Sequence, residues 1–365
     1  MKRVLATSKN SIFKNLDATL TKAIFRGSLF VFFVLCLCGM SFADKKANLG
    51  GFDGFVERMG TGGRELGRGN VGVADTSALP AAYFNPAILG FRNTIAYSLA
   101  AEKRDLDRAG GSLGIESKIG NRMGIGAAVL YRTDLDFTVI NSDDETVGTA
   151  SPYFMTAFVG VGYRLTRKDG IGFSLAISYD NLDISGHYEE ASLVDSYQSP
   201  VVLNIGWLRE WNEHWSSAVM IRNLSFSRNL SATWTRNASN DNSVEESEGV
   251  RPKVLQIGLG YHTRLFSRPI SVWMEALDYQ VADTLLVFDP DYHIWTGRFG
   301  MEWEAIEDGL VRFGFDDRNY TFGLGYRFGI RFGKRRYNFE IDYALVYESD
   351  ADLWNPLSFG FRGTI

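Results

Sequence analysis

Hydrophobic and polar residues alternate one for one over long stretches of this chain. From Tyr320 to Arg331, the residues Tyr320, Phe322, Leu324, Tyr326, Phe328 and Ile330 fall on one side of an extended strand, and Thr321, Gly323, Gly325, Arg327, Gly329 and Arg331 on the other. Tyr337 to Glu348 repeats the pattern: Phe339, Ile341 and Tyr343 alternate with Glu340, Asp342 and Ala344. Ile171 to Asp180 does the same. A period of two, with one apolar face and one polar or small face, predicts β-strands. Strands of soluble domains usually run about five or six residues, whereas a tilted strand needs about ten to cross a bilayer. These runs are of the second kind.

Fourteen such segments are legible, near 92–101, 110–120, 122–132, 152–165, 170–183, 198–210, 214–228, 251–266, 269–282, 293–306, 309–317, 319–331, 336–348 and 355–365. Their connections sort by parity. Those after even-numbered segments are tight turns such as Asn121, Ser267-Arg268 and Glu307-Asp308. Those after odd-numbered segments are mostly long and polar: 133–151, 184–197, 229–250 and 283–292. Short turns at one end and long loops at the other are the asymmetry of bacterial outer-membrane barrels, and they put both termini in the periplasm. Aromatic residues at the ends of the apolar rows, among them Tyr131, Tyr163, Trp207 and Trp303, suit interfacial girdles. The chain ends on an alternating segment, Leu357 to Ile365, which suits closure of last strand on first. The expected fold class is all-β: a transmembrane antiparallel barrel of about 14 strands over 92–365.

The N-terminus adds a destination. Lys2, Arg3, Lys9, Lys14, Lys22 and Arg26 precede an apolar run from Leu29 to Cys38, and Ser41-Phe42-Ala43 supplies small residues for cleavage. That order reads as a cleaved signal peptide over 1–43, which exports the chain through the inner membrane to the outer one. Both cysteines, Cys36 and Cys38, lie inside it. The mature chain therefore has no disulfide, no thiolate metal site and no cysteine nucleophile. Removing six bases and one acid takes the net charge from −5 to −10, which argues against nucleic acid as a partner.

Residues 44–91 do not alternate. They run through Gly60-Thr61-Gly62-Gly63, then Gly67-Arg68-Gly69-Asn70-Val71-Gly72-Val73-Ala74-Asp75, and end on Pro80-Ala81-Ala82-Tyr83-Phe84-Asn85-Pro86-Ala87. A glycine-rich stretch, Val-Ala-Asp, a short Ala-rich helix and Asn-Pro-Ala before the first strand resemble the family of the fatty-acid transporter FadL. They equally resemble the related PorV and PorQ proteins of Bacteroidetes-type secretion. Gly297 to Ile365 is similar to the closing strands of the PorV-like branch. The resemblance implies that 44–91 is a hatch folded inside the lumen, with Gly67, Gly69, Asp75, Asn85 and Pro86 as gating or ligand-binding positions. Physical reasons agree: glycine permits close backbone approach and positive φ, and Pro86 stiffens the exit and holds Asn85 extended.

Charges recur on the polar faces of the later strands: Arg298, Glu302, Glu304, Arg312, Arg327, Arg331, Glu340, Asp342 and Arg362. Neighbouring strands carry opposite signs, so cross-strand ion pairs that hold the wall and bind the hatch are expected. A polar track or gate for a solute is the alternative. The histidines His187, His214, His262 and His293 fit no metal spacing, and neither a nucleophile elbow nor an HExxH motif is present. No enzyme activity and no cofactor are expected. What the resemblance implies is movement of a hydrophobic, fatty-acid-like small molecule across the outer membrane. Its alternative is a PorV-like scaffold that binds exported or envelope proteins. Outer-membrane lipid is the surrounding partner in either case.

Overall fold

The structure is a computed structural model that describes residues 55–104, 108–134, 136–140, 146–185, 191–198, 201–225, 231–238, 241–248, 252–280, 293–317, 319–333, 335–349 and 352–364. The expected signal peptide and residues 44–54 of the expected hatch lie outside the described residues. The strands are β1 (Ala96–Lys103), β2 (Ala109–Ile119), β3 (Met123–Thr133), β4 (Phe137–Ile140), β5 (Thr146–Arg164), β6 (Asp169–Ser185), β7 (Ala191–Gln198), β8 (Val202–Glu210) and β9 (Trp215–Ser225). They continue as β10 (Ser231–Ala238), β11 (Asp241–Glu248), β12 (Lys253–Leu265), β13 (Arg268–Gln280), β14 (His293–Ile306), β15 (Gly309–Asp316), β16 (Asn319–Phe332), β17 (Arg335–Glu348) and β18 (Leu353–Thr364).

Fourteen of these form a closed antiparallel ring. In chain order β1, β2, β3, β5, β6, β8, β9 and then β12 to β18 each pair with the next. The ring closes by β18 on β1, from Ala96↔Thr364 to Lys103↔Leu357. Closure leaves no unpaired edge in the wall, which is the condition for a sheet to sit in lipid. Irregular register occurs at Leu203/Ile205 between β8 and β9, at Glu304/Ile306 between β14 and β15, and at Ala344/Val346 between β17 and β18.

Two expectations need correction. β1 begins at Ala96 rather than 92, because Pro86–Phe91 forms a 3-10 helix and Arg92 turns back to bind the segment it leaves. The segments 133–151, 184–197 and 229–250 are not simple loops: they hold β4, the start of β5, and β7, β10 and β11. β4 pairs with β5, β7 with β6 and β10, and β11 with β10, outside the ring. A strand pair beyond the lipid needs no apolar row, so alternation did not mark these strands.

The faces of the ring are inverted relative to a water-soluble sheet. Leu113, Val159 and Tyr326 are 59%, 64% and 55% exposed, while the inward Ser112, Thr321 and Glu340 are buried. Apolar out and polar in is the pattern of a barrel whose solvent is lipid. Among the described residues no helix is long and apolar enough to cross a membrane.

Inside this pattern lies the N-terminal segment: α1 (Phe55–Arg58), α2 (Gly63–Leu66), α3 (Ala81–Phe84) and the 3-10 helix. From Gly60 to Gly90 only Ser77 is exposed. The segment touches α2 against β16, β17 and β18, and the 3-10 helix against β2, β3, β5, β6 and β8. It thus meets the wall on opposite sides.

Candidate functional site

The two sides of the wall hold the segment by different physics. On β3 to β9 the contact is largely apolar, with a few polar ties such as Arg222 on β9, which donates to Phe84 O at 3.0 Å. Val73, Ala78, Ala81, Ala82, Phe84, Ile88 and Leu89 pack with Leu130, Phe158, Ala176, Val202, Leu208 and Met220 in one buried cluster. On β13 to β18 the contact is ionic. Arg64 donates to Glu302 on β14 at 2.8 Å and to Asp75 at 2.8 Å. Arg312 reaches Glu302 at 2.7 Å, Asp342 at 2.7 Å and Glu340. Arg327 adds Glu340 at 2.9 Å and Glu302 at 3.3 Å, and Arg362 closes on Glu340. Glu302↔Arg312, Arg327↔Glu340 and Glu340↔Arg362 are directly opposed across strands, so register alone brings these pairs together.

Arg68 is fully buried and lies over the Trp273 ring at 4.4 Å. Its Nη1 stands 2.6 Å from Asp75 but is not aligned to donate, and Nε also lacks an acceptor. The attraction there is electrostatic, with the ring face as a second partner. Burial opposes ionisation of Asp75. The Arg64 and Arg68 guanidiniums, with hydrogen bonds from the Ser77 side chain and backbone, nonetheless hold its carboxyl well below the usual range. Burial pushes the Tyr83 phenol up to about 12; its hydroxyl donates to the Glu57 carbonyl at 2.6 Å.

The backbone of the segment also docks on glycines of the wall. A Cβ on Gly69, which has φ +70°, would strike Phe299 O and the Phe315 backbone. One on Gly67 would stand 2.9 Å from Gly323 Cα. Wall glycines reciprocate: Gly314 faces Gly69 and Arg68, Gly172 faces Pro86 and Ala87, and Gly206 faces the Asn85 side chain. Asn85 is extended at φ −162° and joins both layers. Its Oδ1 accepts from Ala87 N at 3.0 Å and its Nδ2 donates to Val73 O at 2.9 Å. Pro86 opens the 3-10 helix.

The sequence-predicted residues therefore do not form one site. Asp75, Glu302, Arg312, Arg327 and Asp342 converge on Arg64. Gly67 and Gly69 lie beside them, against β14, β15 and β16. Asn85 and Pro86 dock on the opposite wall, at β5, β6 and β8. Arg298 stands apart, paired with Asp316 at 2.7 Å toward the long-loop end. Several residues escaped the sequence reading. Arg64 and Arg68 sit in a stretch read for its glycines. Glu275 accepts from Gly72 N at 2.6 Å and Val73 N at 2.7 Å, and Glu116 accepts from Ala81 N and from Arg92. The signal was present: each is a lone carboxylate at an inward position of an otherwise apolar or small strand.

Two cavities flank the ionic cluster. One of about 400 Å³ opens toward the short-turn end beside Ser77, Arg92, Arg327 and Arg362. The other, about 340 Å³, opens toward the long-loop end beside Asn70, Arg104, Arg298 and Glu348. Among the described residues no group of His, Cys, Asp and Glu is arranged to hold a metal ion.

No family model matches the sequence, and no curated protein matches it. Solved structures do match in shape. The toluene transporter TbuX of Ralstonia pickettii superimposes with a TM-score of 0.54 at 12% identity, over 84% of this chain and 98% of that one. A deletion mutant of TodX, described as a monoaromatic hydrocarbon channel, gives 0.52 at 12% identity, over 84% and 98%. At such identity the likeness concerns fold. Ring size, closure and the inverted faces agree with it, and the fold of this chain is that of a FadL-like outer-membrane β-barrel.

Proposed function

We propose that this barrel passes a hydrophobic small molecule across the bacterial outer membrane, with residues 44–91 as its hatch. The observation that carries the reading is the division of the inner wall. A hydrophobic solute moving along the ionic side would have to separate the buried ion pairs of Arg64, Glu302 and Arg312, at a cost of several kcal/mol for each charge left uncompensated. On the apolar side it would replace Leu89 or Phe84 against Leu130 and Phe158 at little cost. The apolar side is therefore the path, and the ionic side the anchor of the hatch. The neighbours in fold, a toluene transporter and a hydrocarbon channel, support the solute class. Gating falls to Asn85 and Pro86 on the moving side; Gly67, Gly69 and Asp75 belong to the anchor.

A disulfide staple tests this. The mature chain has no cysteine, and a Cβ on Gly160 would lie 3.3 Å from the Ala82 Cβ, near the span a disulfide bridges. Cells that depend on the barrel and carry A82C/G160C would be assayed for uptake of radiolabelled toluene and of a long-chain fatty acid. Uptake of the true solute should drop at least tenfold on oxidation and recover with reductant. Wild-type uptake of both by the oxidised, stapled barrel would sink the proposal.

A further inference from the structure

The two rims of the ring differ in charge. The long connections 133–151, 184–197, 229–250 and 283–292 contain fifteen acidic residues and one basic residue. The short turns carry the opposite sign. Arg122 after β2, Arg167 and Lys168 after β5, Arg264 before the turn of β12, and Arg331 and Arg336 on the β16–β17 hairpin are all exposed. Of the acids at this rim, Glu213, Glu307 and Asp308 lie on other turns, and Asp169, beside Lys168, pairs with Arg209 at 3.2 Å.

The basic turns also expose apolar side chains. Phe266, at the tip of the β12–β13 turn, is 83% exposed, and Leu165, beside Arg167, is 48% exposed. A fully solvated turn has no use for either. At a membrane surface both groups find a partner: the ring or aliphatic chain enters the interface and the cation meets the headgroup.

The height of the rim agrees. The outward apolar row of β16 runs from Tyr320 to Ile330. Ten residue steps of about 3.3 Å, tilted by about 40°, span about 25 Å, the height of the apolar band of such barrels. The turns that end such rows, with the exposed Leu165 and Phe266, therefore stand at headgroup level. Arg331 and Arg336, paired directly across the hairpin, belong to the inward face, where Arg336 lines the short-turn cavity, and so are not among the lipid-facing cations.

We infer that the basic short-turn rim binds the anionic headgroups of phospholipids in the leaflet it faces, with Arg167 and Lys168 beside Leu165, and Arg264 beside Phe266, as its contacts. This inference needs the barrel to lie in a membrane, not the transport reading, and lipid binding is measured without any solute.

The test uses the full mature chain folded in nanodiscs of mixed phosphatidylglycerol and phosphatidylcholine, released gently for native mass spectrometry. The wild type should retain about threefold or more phosphatidylglycerol over phosphatidylcholine, in line with the electrostatic attraction of each cation near an anionic surface. A variant with Arg122, Arg167, Lys168 and Arg264 changed to Gln should retain the two equally. A control with Asp143→Asn, Asp144→Asn and Glu145→Gln should keep the preference. Unheated gel mobility reports folding; if the fourfold variant does not fold, R167Q/K168Q replaces it, with the preference expected to fall at least by half. Equal retention by the wild type, or an undiminished preference in the variant, overturns the inference. Binding of polyglutamate to these arginines without any lipid preference also overturns it, in favour of a soluble acidic partner.

Discussion

Arg312 is fully buried and touches three carboxylates, Glu302, Glu340 and Asp342. Removing one member of a buried ionic group leaves the others uncompensated, and that costs about 3–5 kcal/mol. Arg312→Met should lower barrel stability by that amount, read as a shift of the urea unfolding midpoint followed by tryptophan fluorescence in vesicles. A shift below about 1 kcal/mol would mean that water or another cation already compensates the carboxylates. Asp75 makes a pH prediction on the segment itself. Its folded-state carboxyl sits below the unfolded value of about 3.9, so its stabilisation is complete above that value and is lost as the pH falls beneath it. Amide exchange over residues 64–79 should accelerate as pH drops below about 4, beyond the intrinsic trend, and Asp75→Asn should flatten that dependence. Identical profiles for the two proteins would remove Asp75 from the anchor.

At the scale of elements, the glycines of the wall decide how closely the segment can lie. Gly314 on β15 faces the backbone of Arg68 and Gly69 so closely that any Cβ there must push one of them away. Gly314→Val keeps the strand's hydrogen bonds and has good β propensity. It should therefore leave the barrel folded and dislodge the segment on its anchored side. Planar-bilayer conductance reports this: the wild type should be nearly closed and the variant should conduct at least severalfold more. An unchanged conductance would mean that the segment re-seats without opening a passage. The elements also show why strand reading succeeded in some places and failed in others. β16 and β17 are legible because the lipid-facing side and the N-terminal segment inside enforce two different chemistries at alternate residues. β4, β7, β10 and β11 lie outside the ring, where neither constraint acts.

For the whole molecule, charge sorts along the chain and chemistry sorts across the ring. Along the chain, the long connections are rich in acids, and several of the short turns carry exposed arginine or lysine. Across the ring, a largely apolar inner wall from β3 to β9 faces an ionic one from β13 to β18. The alternation, the parity of the connections and the chain-final strand determined a closed barrel of fourteen strands, because each residue's face follows from the period of two. Opposite signs on adjacent strands determined that the inner wall would be held by ion pairs, as Glu302 and Arg312 illustrate. Only the tertiary structure decided where the N-terminal segment lies and what grips it. Arg64 meets Glu302 across 238 positions of sequence, and Gly69 meets Phe299 and Phe315 by backbone approach alone. No periodicity encodes either contact: a coil inside a ring takes its partners from the ring's curvature, which exists only once the last strand has closed on the first.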